Sequence, residues 1–303
     1  MSTKSLAVVT GGAAGLGKAF ACALAKVGYD LLLVDLPGSN LREVAEELAS
    51  ANNIYAEALL SDLTHEDTVK KIVNACCSYP GSVGMLINNA GLGINQEFET
   101  LDNETIHRLL MLNVMQTTML MHDLIPMMKK NGHAHIINIS SMAGCFPLPN
   151  KTVYAASKAY IRNLSLSLHC ELKAQGIHVA VCCPSGILTN AIHFDRYQKS
   201  SLLAKKSFLL PEEVVSVVLR KAFSGAAVII PGRFNKLVYC FFSMLPVSWQ
   251  LWIACRQFGK PYPDKPVPQP AYKQVHTLQP AESTHTTIRQ LHPVHKPFQN
   301  VTT

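Results

Sequence analysis

Three side chains in the middle of the chain have the types and the spacing needed for proton transfer. Tyr154 and Lys158 are four positions apart, and Ser141 precedes the tyrosine by 13 positions. Four residues make just over one helical turn, so a helix here would place the phenol and the ammonium on one face. A nearby cation favours the phenolate and would lower the tyrosine pKa from its usual value near ~10. We therefore predict that Tyr154 is an acid and base whose pKa Lys158 depresses.

A glycine-rich turn near the N-terminus predicts a phosphate site. Gly11, Gly15 and Gly17 follow the apolar residues 6–10 and precede a helical pattern. Glycines permit a tight strand-to-helix turn, and the free amides at a helix N-terminus favour a pyrophosphate. The turn therefore predicts a dinucleotide cofactor.

Asp35 indicates which dinucleotide is preferred. It ends the second apolar segment, where a carboxylate can accept both ribose hydroxyls of the adenosine half. A 2′-phosphate would be repelled there, and Leu36 stands where an arginine would favour NADP. We predict NAD as the preferred cofactor, with NADP as the alternative. Asp62, after the third apolar segment, is predicted to bind the adenine amino group or to cap the next helix.

Alternating apolar and helical patterns predict the elements that position these residues. The expected fold is α/β, with a doubly wound parallel sheet of about seven strands in three α/β/α layers. Continuous Val, Ile and Leu runs indicate strands buried on both faces. The predicted strands are 6–10, 30–35, 54–60, 84–88, 135–140, 177–183 and 226–230, and the predicted helices are 18–27, 41–51, 105–128, 154–175 and 211–223.

Composition limits the class of protein and its domains. The 303 residues are 48% apolar with a net charge of +7, and the basic residues are scattered without interleaved aromatics, so nucleic-acid binding is excluded. Nine cysteines without a C-x-x-C pair predict buried thiols in a reducing, cytoplasmic compartment and no metal site. Residues 1–258 are predicted to form one domain. The Pro-, Thr- and His-rich residues 259–303 are predicted to be a disordered tail.

Five motifs in order resemble the short-chain dehydrogenase/reductase family over about residues 4–258. They are Thr10-Gly11-x-x-x-Gly15-x-Gly17, Asn88-Asn89-Ala90-Gly91, Leu112-Asn113-Val114, Ile139-Ser140-Ser141 and Tyr154-x-x-x-Lys158. The resemblance implies a Rossmann domain that interconverts a secondary alcohol and a ketone with a nicotinamide cofactor.

The resemblance also implies a role for each matching residue. Tyr154 would exchange the proton, Lys158 would hold the nicotinamide ribose, Ser141 would donate to the carbonyl oxygen, and Asn113 would bind a water linked to Lys158. Ser140 would be structural. Ser185 stands where the family has the glycine of a Pro-Gly pair, and Gly186, one position later, could supply the glycine that this loop needs. The implied cofactor-binding set is Gly11, Ala14, Gly15, Leu16, Gly17, Asp35, Asp62, Leu63, Asn89, Ala90, Gly91, Tyr154, Lys158, Pro184, Gly186, Ile187 and Thr189.

Two C-terminal stretches bear on the substrate and on partners. Residues 190–210, apolar with scattered basic residues, are predicted to cover a moderately hydrophobic alcohol or ketone. The alternatives are an NADPH-dependent ketone or ketoacyl reductase, or a silent membrane-associated NAD-binding protein. Residues 237–254 are strongly apolar but interrupted by Pro246, Ser248 and Gln250, whereas a membrane span needs ~20 apolar residues. They are predicted to cover the site, to form the interface of a homodimer or homotetramer, or to contact a membrane surface.

Overall fold

Seven parallel strands form one sheet in the computed structural model, which describes residues 4–189, 197–198 and 202–258. The strand order is β3-β2-β1-β4-β5-β6-β7, so the chain reverses its direction of travel across the sheet between β1 and β4. The strands are β1 (Ser5–Thr10), β2 (Asp30–Asp35), β3 (Ala56–Leu60), β4 (Ser82–Asn88), β5 (Ala134–Ile139), β6 (Ile177–Cys182) and β7 (Val228–Ile229).

Helices cover both faces of the sheet. The helices of the described residues are α1 (Gly15–Lys26), α2 (Leu41–Asn52), α3 (Asp67–Ser78), α4 (Asn103–Leu110), α5 (Thr117–Lys129), α6 (Thr152–Lys173), α7 (Leu202–Lys205), α8 (Pro211–Phe223), α9 (Arg233–Met244) and α10 (Val247–Phe258). One apolar layer joins the sheet to α1, α2 and α8, and a second joins it to α3, α5 and α6. The predicted doubly wound, three-layer α/β/α fold is confirmed.

The strands are apolar throughout because the side chains on both faces of the sheet are buried. In β1, Ala7 and Val9 lie in one apolar layer, whereas Leu6 and Val8 lie in the other. Successive side chains of a strand point to opposite faces, so both faces demand apolar residues when helices cover each of them. The same arrangement brings the carboxyl ends of all seven strands to one edge.

Two helical regions differ from the sequence prediction. The single helix predicted over residues 105–128 is interrupted by a π-helical turn, Met111–Gln116, between α4 and α5. The apolar pattern runs through this turn, so periodicity does not reveal it. Helix α3 was not predicted, because its buried residues form a narrow stripe on an otherwise polar helix.

The cysteine prediction was partly wrong. All nine cysteines are free, but Cys77, Cys170, Cys240 and Cys255 are exposed. Apolar neighbours in sequence did not bury them, since each lies on the outer face of a helix.

Part of the predicted cover over the substrate and the whole predicted tail, 259–303, lie outside the described residues. Of residues 190–210, the structure describes 197–198 and 202–210, including α7 and a parallel bridge between Ile187 and Leu209. None of the described helices is long and apolar enough to cross a bilayer.

Candidate active site

Helix α6 carries Tyr154 and Lys158 on one face, at the carboxyl edge of the sheet. The Lys158 side chain is buried, and its Nζ donates a 3.0 Å hydrogen bond to the backbone oxygen of Ile139, the last residue of β5. The same Nζ lies 6.0 Å from the centroid of the Tyr154 ring. Burial lowers the pKa of Lys158 to about 8, because the charged ammonium loses hydration.

Ser141 reaches Tyr154 from the turn after β5. The two side chains are hydrogen-bonded to each other, while Ser141 Oγ also accepts a 3.1 Å bond from the amide of Ala143. Burial raises the pKa of Tyr154 above its ordinary value, and the hydrogen bond with Ser141 offsets only part of that rise. The predicted depression of this pKa by Lys158 was therefore wrong for this structure. Desolvation prevails, and the ammonium is bonded to the Ile139 carbonyl.

The neighbouring Ser140 is buried and faces the other way. Its Oγ donates a 2.7 Å hydrogen bond to the backbone oxygen of Lys158. This bond ties β5 to α6 one residue before Ser141, and it leaves Ser141 as the serine that contacts the tyrosine.

The π-helical turn presents Asn113 to the same site. Asn113 is buried, and its Oδ1 accepts a 2.8 Å bond from the amide of Leu92, while its Nδ2 donates to the Leu92 oxygen at 2.9 Å and to Ser157 Oγ at 3.1 Å. A Cβ added at Gly91 would lie 3.1 Å from Lys158 Nζ and 3.2 Å from Asn113 Oδ1. Asn113 therefore holds the backbone after β4 directly against the lysine.

The glycine turn is shaped for a close ligand. Gly11 and Gly15 have φ angles of +69° and +54°, which favour glycine, and a Cβ at Gly17 would clash with the backbone oxygen of Gly11. Ala14, the N-cap residue of α1, has no polar side chain to bond the first-turn amides of Gly15, Leu16 and Gly17. Such amides and the positive end of the helix favour an anion.

Asp35 is fixed beside this turn. Its Oδ2 accepts a 2.8 Å bond from the amide of Ala13, and its Oδ1 accepts a 2.8 Å bond from the amide of Leu36. Two backbone amides, rather than a cationic side chain, therefore hold the carboxylate at the end of β2.

Asp62 lies after β3, and its Oδ1 accepts bonds from the amide and hydroxyl of Thr64 at 2.8 and 2.9 Å. It caps this local turn, whereas α3 begins after Glu66. Leu63 is buried beside it.

Thr10 links the glycine turn to the backbone after β4, a role that sequence reasoning missed. Its Oγ1 accepts bonds from the amides of Asn89 and Ala90 at 3.0 and 3.1 Å, and Asn89 Nδ2 donates to the backbone oxygens of Thr10 and Gly11. Asn88 instead donates to Asn138 Oδ1 at 2.8 Å and bridges β4 to β5. Ser157 was also missed, since only the tertiary structure brings it to Asn113.

The segment after β6 closes the site. Pro184 accepts a 2.9 Å bond from the amide of Met142, next to Ser141, and Gly186 accepts a 3.0 Å bond from the amide of Leu209. Gly186 packs against the Phe208 ring so tightly that a Cβ would meet it at 2.5 Å. Thr189, two residues after Ile187, lies against Gly15, with its Cγ2 3.0 Å from the position of an added Cβ.

These residues fit a dinucleotide. The glycine turn, Asp35 and the segment 89–91 lie along adjacent strand ends at the β1/β4 reversal, where open α/β sheets bind ligands. The proton-transfer group lies beyond them, around Gly91. The structure thus brings together every predicted catalytic residue and sets the predicted cofactor residues along one edge.

Comparison with known proteins identifies the same family. Residues 5–199 match the short chain dehydrogenase family model. The chain is 31% identical over 194 residues to a very-long-chain 3-oxoacyl-CoA reductase of Bos taurus, a match covering 63% of this chain and 62% of that protein. The matched segment is thus less than two thirds of that relative's length.

Solved structures agree on the fold. An alcohol dehydrogenase of Comamonas testosteroni, described as specific for bulky-bulky ketones, aligns with a TM-score of 0.67 at 25% identity over 84% of this chain and 93% of that one. A short-chain dehydrogenase of Sphingobium yanoikuyae in complex with NADPH aligns with a TM-score of 0.67 at 26% identity over 84% and 94%. With the family model covering more than half of the sequence, the chain belongs to the short-chain dehydrogenase family.

Proposed function

We propose that this protein interconverts a secondary alcohol and a ketone with a nicotinamide cofactor, on a moderately hydrophobic substrate. The observation that carries the proposal is the hydrogen-bonded pair Ser141 and Tyr154, placed beside the buried Lys158 at the same sheet edge as the glycine turn. The nicotinamide supplies or accepts the hydride when the cofactor is bound. The glycine turn would hold its pyrophosphate, and Asp35 its adenosine ribose.

The side chains of the site would manage the proton. Because burial raises the pKa of Tyr154, the phenol is protonated at neutral pH and suited to donate its proton to a carbonyl oxygen. Ser141 would donate a hydrogen bond to the same oxygen as charge develops, a contribution of ~2.7–4 kcal/mol where one such donor has been removed elsewhere. In the oxidative direction the phenolate of Tyr154 would accept the proton of the alcohol, and because burial raises the pKa of Tyr154, this direction should require a higher pH.

Asp35 supports NAD as the preferred cofactor, because two backbone amides fix its carboxylate where a 2′-phosphate would need room. The Sphingobium relative was solved with NADPH, so NADPH-dependent reduction is the second candidate. The 3-oxoacyl-CoA reductase relative favours a ketoacyl thioester as the substrate in that case. Such a thioester would need a basic docking patch, for which the sequence offers Arg196, Lys199, Lys205 and Lys206. Arg196 and Lys199 lie outside the described residues, whereas Lys205 ends α7 and Lys206 follows it.

Three broader predictions stay proposals. They are a domain ending at about residue 258 before a tail, assembly as a homodimer or homotetramer, and a cytoplasmic location with membrane contact through residues 237–254.

The test follows NADH absorbance with purified protein and a panel of steroid, fatty and short secondary alcohols, alongside a 3-oxoacyl thioester with NADPH. Tyr154→Phe should lower turnover by at least the ~10²–10⁴-fold typical of a lost general acid or base, with cofactor affinity nearly unchanged. Retention of more than about a tenth of the wild-type rate would overturn the role of Tyr154. Turnover of the thioester alone would move the reductase to first place.

A further inference from the structure

Helices α9 and α10 expose an unusual number of large apolar side chains. In α9, the residues Leu237, Phe241 and Met244 recur at helical spacing and are 69%, 60% and 84% exposed. In α10, Val247, Trp249, Leu251 and Trp252 are 42–64% exposed. We call these seven side chains the C-terminal apolar surface. Patches of this kind mark interaction sites.

The two helices are built to present this surface rather than to hide it. The inner side of α9 is occupied, because Asn235 is buried and donates to the backbone of Ser207 and Pro231. In α10 the buried side is Ala254, and Gln250 donates to the backbone oxygens of Phe242 and Leu245 at 3.0 and 2.9 Å. Polar and small residues therefore hold the two helices in place, while the seven side chains of the C-terminal apolar surface remain exposed.

The charged side chains of these two helices have one sign. Residues 231–258 contain Arg233, Lys236 and Arg256 but no aspartate or glutamate. All three cations are exposed, and the Arg256 guanidinium lies over the Trp252 ring at 5.6 Å. A twofold interface with a second copy would bring like charges together without an acidic partner from these helices. An anionic lipid surface would be complementary to both the cations and the apolar side chains.

We propose that the C-terminal apolar surface docks this protein on an anionic membrane, with α9 and α10 lying in the headgroup layer. The tryptophans would lie at the boundary between headgroups and acyl chains, where amphipathic aromatic rings are favoured.

Docking at this place would bring the candidate active site to the lipid. The Phe146 ring lies 5.3 Å from Phe242 and 6.0 Å from Tyr239, on the inner side of α9, and Phe146 follows Ser141 by five residues. Given the proposed function, the hydrophobic alcohol or ketone would then reach the active site from the membrane rather than from water.

The experiment uses the full chain and vesicles of phosphatidylcholine with or without phosphatidylserine. Trp249 and Trp252 are the two tryptophans of the chain, so intrinsic tryptophan fluorescence reports this surface alone. We expect flotation with the anionic vesicles, a blue shift on binding, and weaker binding at high salt.

Substitutions identify the surface. Phe241→Gln with Trp252→Gln should weaken vesicle binding by at least about tenfold. Phe98→Gln is the matched control, because Phe98 is 60% exposed, as Phe241 is, but lies outside these helices. Lys236→Gln should weaken binding to anionic vesicles more than to neutral ones. Thermal unfolding checks that each variant is folded.

Two results would overturn the proposal. One is wild-type protein that fails to float with anionic vesicles. The other is a concentration-dependent blue shift without vesicles, together with a dimer that Phe241→Gln dissociates, which would assign the surface to a second copy. Turnover of a short, water-soluble alcohol should be equal in all these variants. If the wild type failed to turn over such an alcohol, that result would count against the proposed function, whereas flotation with the vesicles would still decide whether the surface binds a membrane.

Discussion

Removal of the Asn113 side chain should destabilise the protein and misplace the lysine. In Asn113→Ala, the amide and the carbonyl of Leu92 lose their 2.8 and 2.9 Å bonds, and Ser157 loses a donor at 3.1 Å. An unsatisfied buried polar group costs ~1–3 kcal/mol, and two backbone groups are affected. Because Leu92 is only partly buried, water replaces some of these bonds, and we expect a loss of about 2–4 kcal/mol in the free energy of unfolding.

The catalytic effect should follow from the same bonds. Gly91 adjoins Leu92, and its backbone lies against Lys158 Nζ, so a displaced segment would shift the lysine and the cofactor contacts. A misplacement near 1 Å can cost about 10²-fold in rate, so we expect turnover to fall by at least about tenfold at a temperature where the variant is folded.

The assay is urea unfolding followed by circular dichroism, together with NADH-linked turnover. Asn52→Ala is the control, because Asn52, the last residue of α2, donates a hydrogen bond to the backbone oxygen of Leu48 in its own helix, and the loss of that bond should cost under about 1 kcal/mol. If Asn113→Ala were no less stable than Asn52→Ala and kept its turnover, the side chain would not hold the segment, and the reasoning would be refuted.

Three further predictions concern cofactor choice, pH and the glycine turn. Asp35→Ala with Leu36→Arg should reverse or erase a preference for NADH over NADPH in a binding titration, and tighter NADPH binding by the wild type would contradict the electrostatic argument. Burial lowers the pKa of His135 to about 4, and the rings of His133 and His178, with centroids 5.0 and 5.2 Å from that of His135, contribute to the shift. The unfolded chain therefore binds a proton at this histidine before the folded protein does, so stability should be lost as pH falls from ~6.5 towards ~4. The loss in the free energy of unfolding between these two pH values is about 3 kcal/mol for the wild type and should be smaller for His135→Val, as measured by urea unfolding at each pH. An equal loss in the two proteins would contradict the prediction. Gly17→Ala should weaken NADH binding, because its Cβ would clash with the Gly11 oxygen. The control is Gly225→Ala, which has open space and a φ of +81° and lies after α8: it should strain its own turn and leave NADH affinity unchanged. Equal affinities of the two variants would show that the glycine turn tolerates the methyl group.

The sequence determined the fold and the identity of the candidate site, because both are written in local patterns. Strand β2 and helix α8 begin and end where the pattern predicted, since continuous apolar runs and an N-terminal proline are strong local signals. The glycine turn, Asp35 and the Tyr154–Lys158 spacing are likewise fixed by chain distance. Their meeting at one sheet edge follows from the parallel alternation of strands and helices.

The tertiary structure alone decided the electrostatics and the supporting contacts. The direction of the Tyr154 pKa shift depends on how deeply α6 is buried and on the Ile139 carbonyl that binds Lys158, and neither depends on residue spacing. The π-helical turn at Asn113 and its bond to Ser157 join residues 44 positions apart, beyond the reach of any local pattern. Exposure of the C-terminal apolar surface was likewise undetermined by composition, since an apolar helix is compatible with a core, an interface or a membrane. Burial and long-range hydrogen bonds are properties of the packed chain, because each depends on which distant segments pack against a side chain.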